Sequence, residues 1–410
     1  MPWKETCAVD QRMRFVVACE TEEETMAELC RRYGISRKTG YKWLGRYVEE
    51  GAEGLMDRSR APRHCHNAVG AEVEAAVVAA RAAHPTWGPK KLRVLLEREH
   101  AGTTWPARST MAEILKRHGL VVPRKRRRRT PPQEVPFGSC DGPNAIWCAD
   151  FKGWFRTGDG RRCDPLTVSD AYSRYLLRCQ ALRKTDGGSV RPLMEAAFRE
   201  YGLPWAMRTD NGSPFASRGV AGLSVLSVWW IKLGIVPERI APGEPQQNGR
   251  HERMHLTLKA ETASPPERNL RAQQRRFDVF GVEYNEVRPH EALGMETPAS
   301  WYAPSARGYP SRLADPAYPS GWPCRRVCDR GEFRWQVTKV FLGRALDGEL
   351  VGLEPLGGRY WRVWFGRMAL GVLQTGRARL LTRREGRRAG VDESFLRSSL
   401  RCVPGAPQEP

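Results

Sequence analysis

The sequence has no run of apolar residues long enough to cross a bilayer. Its first residues, MPWKETCAVDQRMRF, lack the apolar core of a secretion signal. A soluble, cytoplasmic protein without a membrane partner is expected. A disulfide framework is also missing, because the eleven cysteines are odd in number and scattered, the pattern of reduced thiols. No CxxC pair accompanies HCH (His64, Cys65, His66), and three adjacent side chains cannot all turn to one ion. Cys324 and Cys328 in CRRVC lack two further partners, so zinc is not expected there either. Acidic residues are scarce: 46 Asp and Glu stand against 67 Lys and Arg, a formal net charge of +21. Such an excess attracts polyanions. With no basic amphipathic helix or lipidation signal to favour anionic membrane, the expected partner is nucleic acid. Apolar residues make up 40% of the chain, which excludes wholesale disorder, and 410 residues are too many for one core.

In ETMAELCRRYG, Met26, Leu29, Cys30 and Tyr33 share one helical face, and Gly34 ends that helix. Ser36 is a good N-cap for a second helix that turns Trp43, Leu44 and Tyr47 inward and leaves Arg37, Lys38, Tyr41 and Lys42 outside. A helix, a glycine turn and a basic helix make a helix-turn-helix pattern, whose second helix enters the major groove of DNA. Gly40 inside that helix costs about 1 kcal/mol relative to alanine. A second helical block follows over residues 71–122, with Ser109 or Thr110 as a cap and Gly119 as a stop. Lys90, Lys91 and Arg108 stand at helix starts, where phosphate can be held. The run Arg124, Lys125, Arg126, Arg127, Arg128, Arg129 cannot form a core and reads as a phosphate-tracking arm.

The texture changes near residue 144. AIWCADFKGWF is apolar on both faces, as a central strand is, and Asp150 is its odd member. A carboxylate there is costly unless a cation meets it. TGDGRR turns the chain, with Asp159 and Asp164 in the hairpin loop, and PLTVSD and RYLLRCQAL make two more strands. SVRPLMEAAFREYG is an amphipathic helix, WAMRTDNG a short strand ending at Asp210 and an Asn-Gly turn, LSVLSVWWIKLG a helix and IVPERIA a strand. A last helix runs from about Asn248 through Glu252 until Pro265.

This β-β-β-α-β-α-β-α order, with WCADFKG, RTDNGSPF and PQQNGRHERMHLTLKAE, resembles the ribonuclease H-like core of DDE transposases and retroviral integrases, and most of all bacterial insertion-sequence transposases with an integrase-type core. The likeness extends to the paired helix-turn-helix units and the GPKKL segment, covering most of residues 20–305. It implies Asp150, Asp210 and Glu252 as catalytic carboxylates that hold Mg²⁺ or Mn²⁺, two ions, with Asp150 bridging. It also implies a basic residue at the position of Lys259, close to DNA phosphate. Asn248 and Arg250, beside Glu252, are expected to face DNA. Asp210 and Glu252 lie 42 positions apart, wider than is usual in this group, with the extra residues in SRGVAGLSVL. Glu261, nine positions beyond Glu252, falls on the opposite helix face. Asp170 reads as a turn residue, and His290 as structural or phosphate-contacting.

The expected organisation is a helix-turn-helix domain over 1–60, a second helical DNA-binding domain over 61–123 and a basic linker over 124–142. A ribonuclease H-like core with a mixed five-stranded sheet then spans 143–303, a linker 304–330, a small β-barrel 331–375 and a basic mobile tail 376–410. The expected function is DNA transposition by a homo-oligomer acting on double-stranded terminal repeats and target DNA. Two alternatives stand beside it, a catalytically silent DNA-binding regulator and a nuclease that does not join.

Overall fold

Thr25 opens a helix in the N-terminal part: the Glu28 carboxylate reaches back to the Thr25 backbone N–H at 2.9 Å, satisfying a donor that the first helical turn leaves orphaned. A computed structural model of the chain describes residues 7–21, 23–59, 69–121, 140–217, 219–240, 249–388 and 390–391, with only the backbone of residues 250 and 383. The chain divides into two units, Met1–Val69 and Gly70–Pro410. In the first, α1 (Ala8–Glu20), α2 (Met26–Arg32) and α3 (Arg37–Glu50) enclose Phe15, Val16, Leu29, Cys30 and Leu55. Gly34 adopts φ +66°, the left-handed conformation that the turn between α2 and α3 requires. The Ser36 hydroxyl accepts from the Thr39 N–H at 3.2 Å, capping α3 as the sequence predicts. Helix α1 was not anticipated, although Phe15 and Val16 on it are core residues.

Gly40 proves to be a contact residue. A Cβ there would lie 2.7 Å from Cys30 Sγ and 2.9 Å from Phe15 Cζ, so α3 crosses its neighbours closely at this point.

In the second unit, α4 (Ala71–Ala83), α5 (Pro89–Glu99) and α6 (Arg108–Arg117) pack around Val77, Leu92, Leu95, Leu96, Met111, Ile114 and Leu115. The cap of α6 is Ala107 rather than Ser109 or Thr110, because the helix already begins at Arg108. Polar contacts dock this block onto residues 261–296. His84 Nδ1 lies 3.0 Å from Glu283, Arg98 meets Glu296 at 3.1 Å, and Thr86 bonds Glu261. The block expected as a separate domain over 61–123 therefore shares a unit with the core from residue 70 onward.

The core sheet comprises β1 (Ile146–Phe151), β2 (Phe155–Arg156), β3 (Arg162–Asp170), β4 (Leu176–Leu182), β5 (Ala206–Thr209) and β6 (Val236–Arg239). Five strands run in the order β4-β3-β1-β5-β6, and the two-residue β2 pairs with the start of β3. The β3/β4 and β1/β3 pairs are antiparallel, whereas β1/β5 and β5/β6 are parallel, so the sheet is mixed, as expected. Parallel neighbours need crossovers. These are α7 (Gly187–Tyr201) and α8 (Val225–Lys232), which cover the face bearing Trp147, Ala149, Val168 and Met207. On the other face lie α9 (Gly249–Thr262) and α10 (Leu270–Val282), packed over Cys163 and Leu176 through Met254, Leu258, Phe277 and Phe280. Asp164 lies inside β3, buried and paired with Arg162 at 2.6 Å, not in the hairpin loop; the turn belongs to Asp159, whose carboxylate takes bonds from Thr157 and the Arg161 N–H. Asp170 ends β3 and holds its turn through the N–H groups of Asn144 and Ser173.

Residues 303–323 run along the core: Ser305 bonds the Tyr201 carbonyl and Arg307 those of Pro204 and Leu233. The strands that follow are β7 (Cys324–Arg326), β8 (Glu332–Trp335), β9 (Thr338–Phe341), β10 (Leu350–Gly357), β11 (Tyr360–Phe365) and β12 (Met368–Gln374). They do not close into a barrel. They form a four-stranded sheet, β12-β11-β10-β7, and the separate β8–β9 hairpin, which share one core with Val228 and Ile231 of α8. Trp335 and Phe365 are buried in that core, whereas Trp364 is buried in a separate cluster with Ala369, Tyr318 and Trp322. Beyond them, a short α11 (Arg383–Arg388) lies in the stretch expected to be a mobile tail, where Glu385 takes bonds from Arg377, Arg379 and Thr382.

Gly40→Ala is expected to destabilise the N-terminal unit by about 1–2 kcal/mol, the overpacking cost exceeding the gain in helix propensity. Calorimetric unfolding checks this; an unchanged or raised first transition would show that the crossing tolerates a methyl group.

Candidate active site

Parallel pairing of β1 and β5 sets Ala149 against Thr209. Asp150 and Asp210 follow these residues directly, so both stand at the same, C-terminal end of these parallel strands. The Asp210 carboxylate accepts from the Gly212 N–H at 3.1 Å, the tight turn that Asp-Asn-Gly favours, and Asn211 ties that turn to the Ile240 carbonyl at 2.8 Å. A Cβ at residue 212 would lie 3.0 Å from Asp210 Oδ2, so glycine leaves the carboxylate its room. Glu252 is exposed in the first turn of α9, the helix laid over this face of the sheet.

Asp150 carries the electrostatic signature of the site. Its side chain is 20% exposed. Burial first, then the charge of Asp210 and least that of Glu252, raise its pKa to about 7, against the Phe151 N–H and Lys152, which lower it. The charges of Asp210 and Glu252 thus act on a buried carboxylate that has too little cation nearby to balance it.

The structure adds two residues that the sequence reading did not assign. His251 and His255 are buried one turn apart on α9, and a ligand atom from each lies within 4.8 Å of the other and of an Asp150 oxygen. Burial holds both imidazoles neutral, His251 at about 3, and His251 with Lys152 depresses His255 further. The legible signal was two histidines at i, i+4 flanking Glu252, the spacing that shares a helix face.

The residues expected at DNA fall in several places. Ser36, Arg37, Lys38, Tyr41 and Lys42 are all exposed at the start of α3, with Tyr41 59% exposed, and Lys42 lies 4.9 Å from the Trp43 ring. Arg108 is exposed in the first turn of α6, and Lys259 is exposed two turns beyond Glu252. Lys90 pairs with Glu291 at 3.0 Å. Lys91 borders a cavity of about 610 Å³ together with Arg253, Arg288 and His290; burial and the nearby Arg288 hold its pKa down at about 8. Arg124 to Arg129 and Asn248 lie outside the described residues, as does the side chain of Arg250. The rival Glu261 is taken up structurally: it pairs with Arg288 at 2.6 Å, and the Arg288 guanidinium lies 5.5 Å from the Trp87 ring. His290 Nε2 sits 3.3 Å from the Tyr284 carbonyl, and burial keeps the ring neutral.

Family models match along the same divisions. A helix-turn-helix domain matches residues 11–63 and a homeodomain-like domain residues 39–115. Two integrase core domain models match residues 141–245 and 233–298. The 31.7 kDa protein of insertion element IS407 from Burkholderia multivorans is 30% identical over 219 residues, which is 53% of this chain and 76% of that one. The chain belongs to the insertion-element transposases with an integrase-type core. As such the transposase is a DDE-type polynucleotidyl transferase. Transposase InsD of insertion element IS2 from Escherichia coli is 27% identical over 235 residues, covering 53% of this transposase and 73% of InsD. The magnesium-bound catalytic core of HTLV-2 integrase superposes with a TM-score of 0.32 at 16% identity, over 40% of this transposase and 99% of that core. None of the described helices is long and apolar enough to cross a membrane.

The raised pKa of Asp150 fixes the sign of a pH effect. The unfolded chain releases this proton near 3.8 and the folded protein near 7, so the folded state holds more protons in between and its stability falls as pH rises through that window. In the absence of divalent ions, Asp150→Asn is therefore expected to be more stable than wild type at pH 8, by about 4 kcal/mol, and little different at pH 4. Thermal unfolding in chelator at both values checks it; an equal effect at both would be wrong for this cause.

Proposed function

We propose that this transposase binds the ends of its element, cleaves them and joins the freed 3′-hydroxyls to target DNA, with Asp150, Asp210 and Glu252 as the ligands of divalent ions. The observation that supports the reading is the reluctant Asp150, whose pKa is raised to about 7 by burial and then by the charge of Asp210, where β1 and β5 end side by side. A set of oxygen donors whose charges oppose one another fits a hard divalent cation, which replaces repulsion with coordination. Mg²⁺ or Mn²⁺, two ions when bound, supplies charge neutralisation to the attacking and leaving oxygens of an in-line displacement. The chain's own contribution is position. The parallel register sets the ends of β1 and β5 side by side, the Gly212 N–H holds the Asp210 carboxylate, and α9 carries Glu252, whose charge reaches Asp150. In this reading water acts first at the element end, and the 3′-hydroxyl so exposed attacks target phosphodiester.

Recognition of the ends falls to the exposed start of α3, where Arg37, Lys38, Tyr41 and Lys42 meet the major groove and Ser36 its phosphates. Arg108 and the arginine-rich run 124–129 extend contact along the backbone, and Lys259 holds a phosphate near the ions. Lys90 and Lys91 contribute less than their positions at a helix start imply, since Lys90 is already paired and Lys91 is largely buried beside Arg288. Two ends must be held together before joining, so the working form is a homo-oligomer.

A strand-transfer assay with labelled element ends and Mg²⁺ tests the chemistry. Wild type is expected to give joined product, and Asp210→Asn to lose roughly 10³-fold or more of it while still binding ends. Tight binding by wild type without product would support the silent regulator, and cleavage without joining the nuclease. Removing a phosphate contact differs from removing a base contact. Arg108→Ala is expected to weaken binding to all sequences and lower the salt slope by about 1, whereas Arg37→Ala lowers specificity for the terminal repeat, each read by titration at several salt concentrations.

A further inference from the structure

Thr167 stands opposite Asp150 across the antiparallel β1/β3 pair. Its hydroxyl oxygen lies 3.1 Å from the Asp150 carbonyl oxygen, 2.7 Å from His251 Nε2 and 2.6 Å from His255 Nε2. A hydroxyl has one hydrogen and two lone pairs. The carbonyl can only accept, so with the hydrogen directed there both imidazoles donate their Nε2–H to the hydroxyl oxygen. Each ring is then left with a lone pair on Nδ1. His251 Nδ1 lies 2.9 Å from the Ser169 hydroxyl, which donates to it. His255 Nδ1 instead faces Asp150 Oδ2 at 3.8 Å, beyond hydrogen-bond range. Two electron-pair donors fixed face to face at that separation match a pair of ligands on one ion, since bonds to nitrogen and carboxylate oxygen are about 2.0–2.2 Å each. Hydrogen bonding at the second ring nitrogen is also what orients a metal-binding imidazole and raises its basicity.

We infer that His255 is a nitrogen ligand of the ion held by Asp150, so that this site takes an ion tolerant of imidazole, of the Mn²⁺ type, in preference to Mg²⁺. Imidazole suits transition ions, whereas Mg²⁺ favours oxygen and its own waters. The inference rests on the carboxylate reading above, and it makes Thr167 and His251 positioning residues for His255.

The test is electron spin-echo envelope modulation of Mn²⁺ bound to the full-length protein. Wild type is expected to show ¹⁴N modulation from a directly bound imidazole, changing to ¹⁵N frequencies when histidine is ¹⁵N-labelled. His255→Asn is expected to keep Mn²⁺ but lose the modulation, and its Mn²⁺-over-Mg²⁺ preference in competition titrations should fall about tenfold. His251→Asn should retain the modulation; His255→Gln serves if His255→Asn does not fold. Bound Mn²⁺ without nitrogen modulation in wild type overturns the inference and leaves the carboxylate site standing. Modulation that persists without His255 overturns it as well. Failure of wild type to bind Mn²⁺ more tightly than Asp150→Asn overturns both the inference and the reading beneath it.

Discussion

The parallel pairing of β1 with β5 is the constraint on which the site depends. It forces two aspartates, distant in the chain, to leave the sheet side by side, and burial keeps water from compensating Asp150. A carboxylate in this position opposes folding unless a cation meets it, so the strand tolerates Asp150 at a cost in stability. The antiparallel neighbour β3 then places Thr167 opposite Asp150, and the Thr167 hydroxyl collects both histidines of α9. One strand pair sets the acidic edge and the other anchors the helix that completes it.

The same logic of shared surfaces binds the flanking parts to the core. Helix α8 is apolar all round because it is used twice: Trp229 and Trp230 face the sheet, while Val228 and Ile231 enter the core of the C-terminal strands. Lys232 at its end pairs with Glu349 at 2.9 Å, extending the contact with charge. The lengthened loop after Asp210 joins this surface through Leu223, which accounts for residues beyond the usual spacing: they pack against the C-terminal module. On the other side, Glu261 and Arg288 form a buried pair that also receives Thr86 and Trp87 from the second helical block. Removal of either partner would strand the other charge in a poorly solvated place.

Much of this was legible because it is local. The helix-turn-helix rests on Gly34, the Ser36 cap and i, i+4 spacing, all of which act within a few residues. The core strands and helices follow from alternation, period and turn residues, and the Asp-Asn-Gly turn announces itself. Strand limits were less legible: Asp164 looked like a loop residue because its partner Arg162, two positions back on the same strand, supplies the compensation that polarity alone does not reveal. The C-terminal strands were visible but not their closure, since whether strands close on themselves or split over a neighbouring helix depends on partners remote in sequence.

The sequence by itself determined the order of elements, the basic balance that selects a polyanion, and the three acidic residues that a family resemblance singles out. Those are properties of composition, periodicity and motif, carried by neighbours along the chain. Only tertiary structure decided that His251 and His255 turn inward beside Asp150, that Glu261 belongs to a structural pair, and that Lys90 and Lys91 are partly spent. Each of these depends on which remote group occupies the space opposite, and that is fixed by register and helix docking.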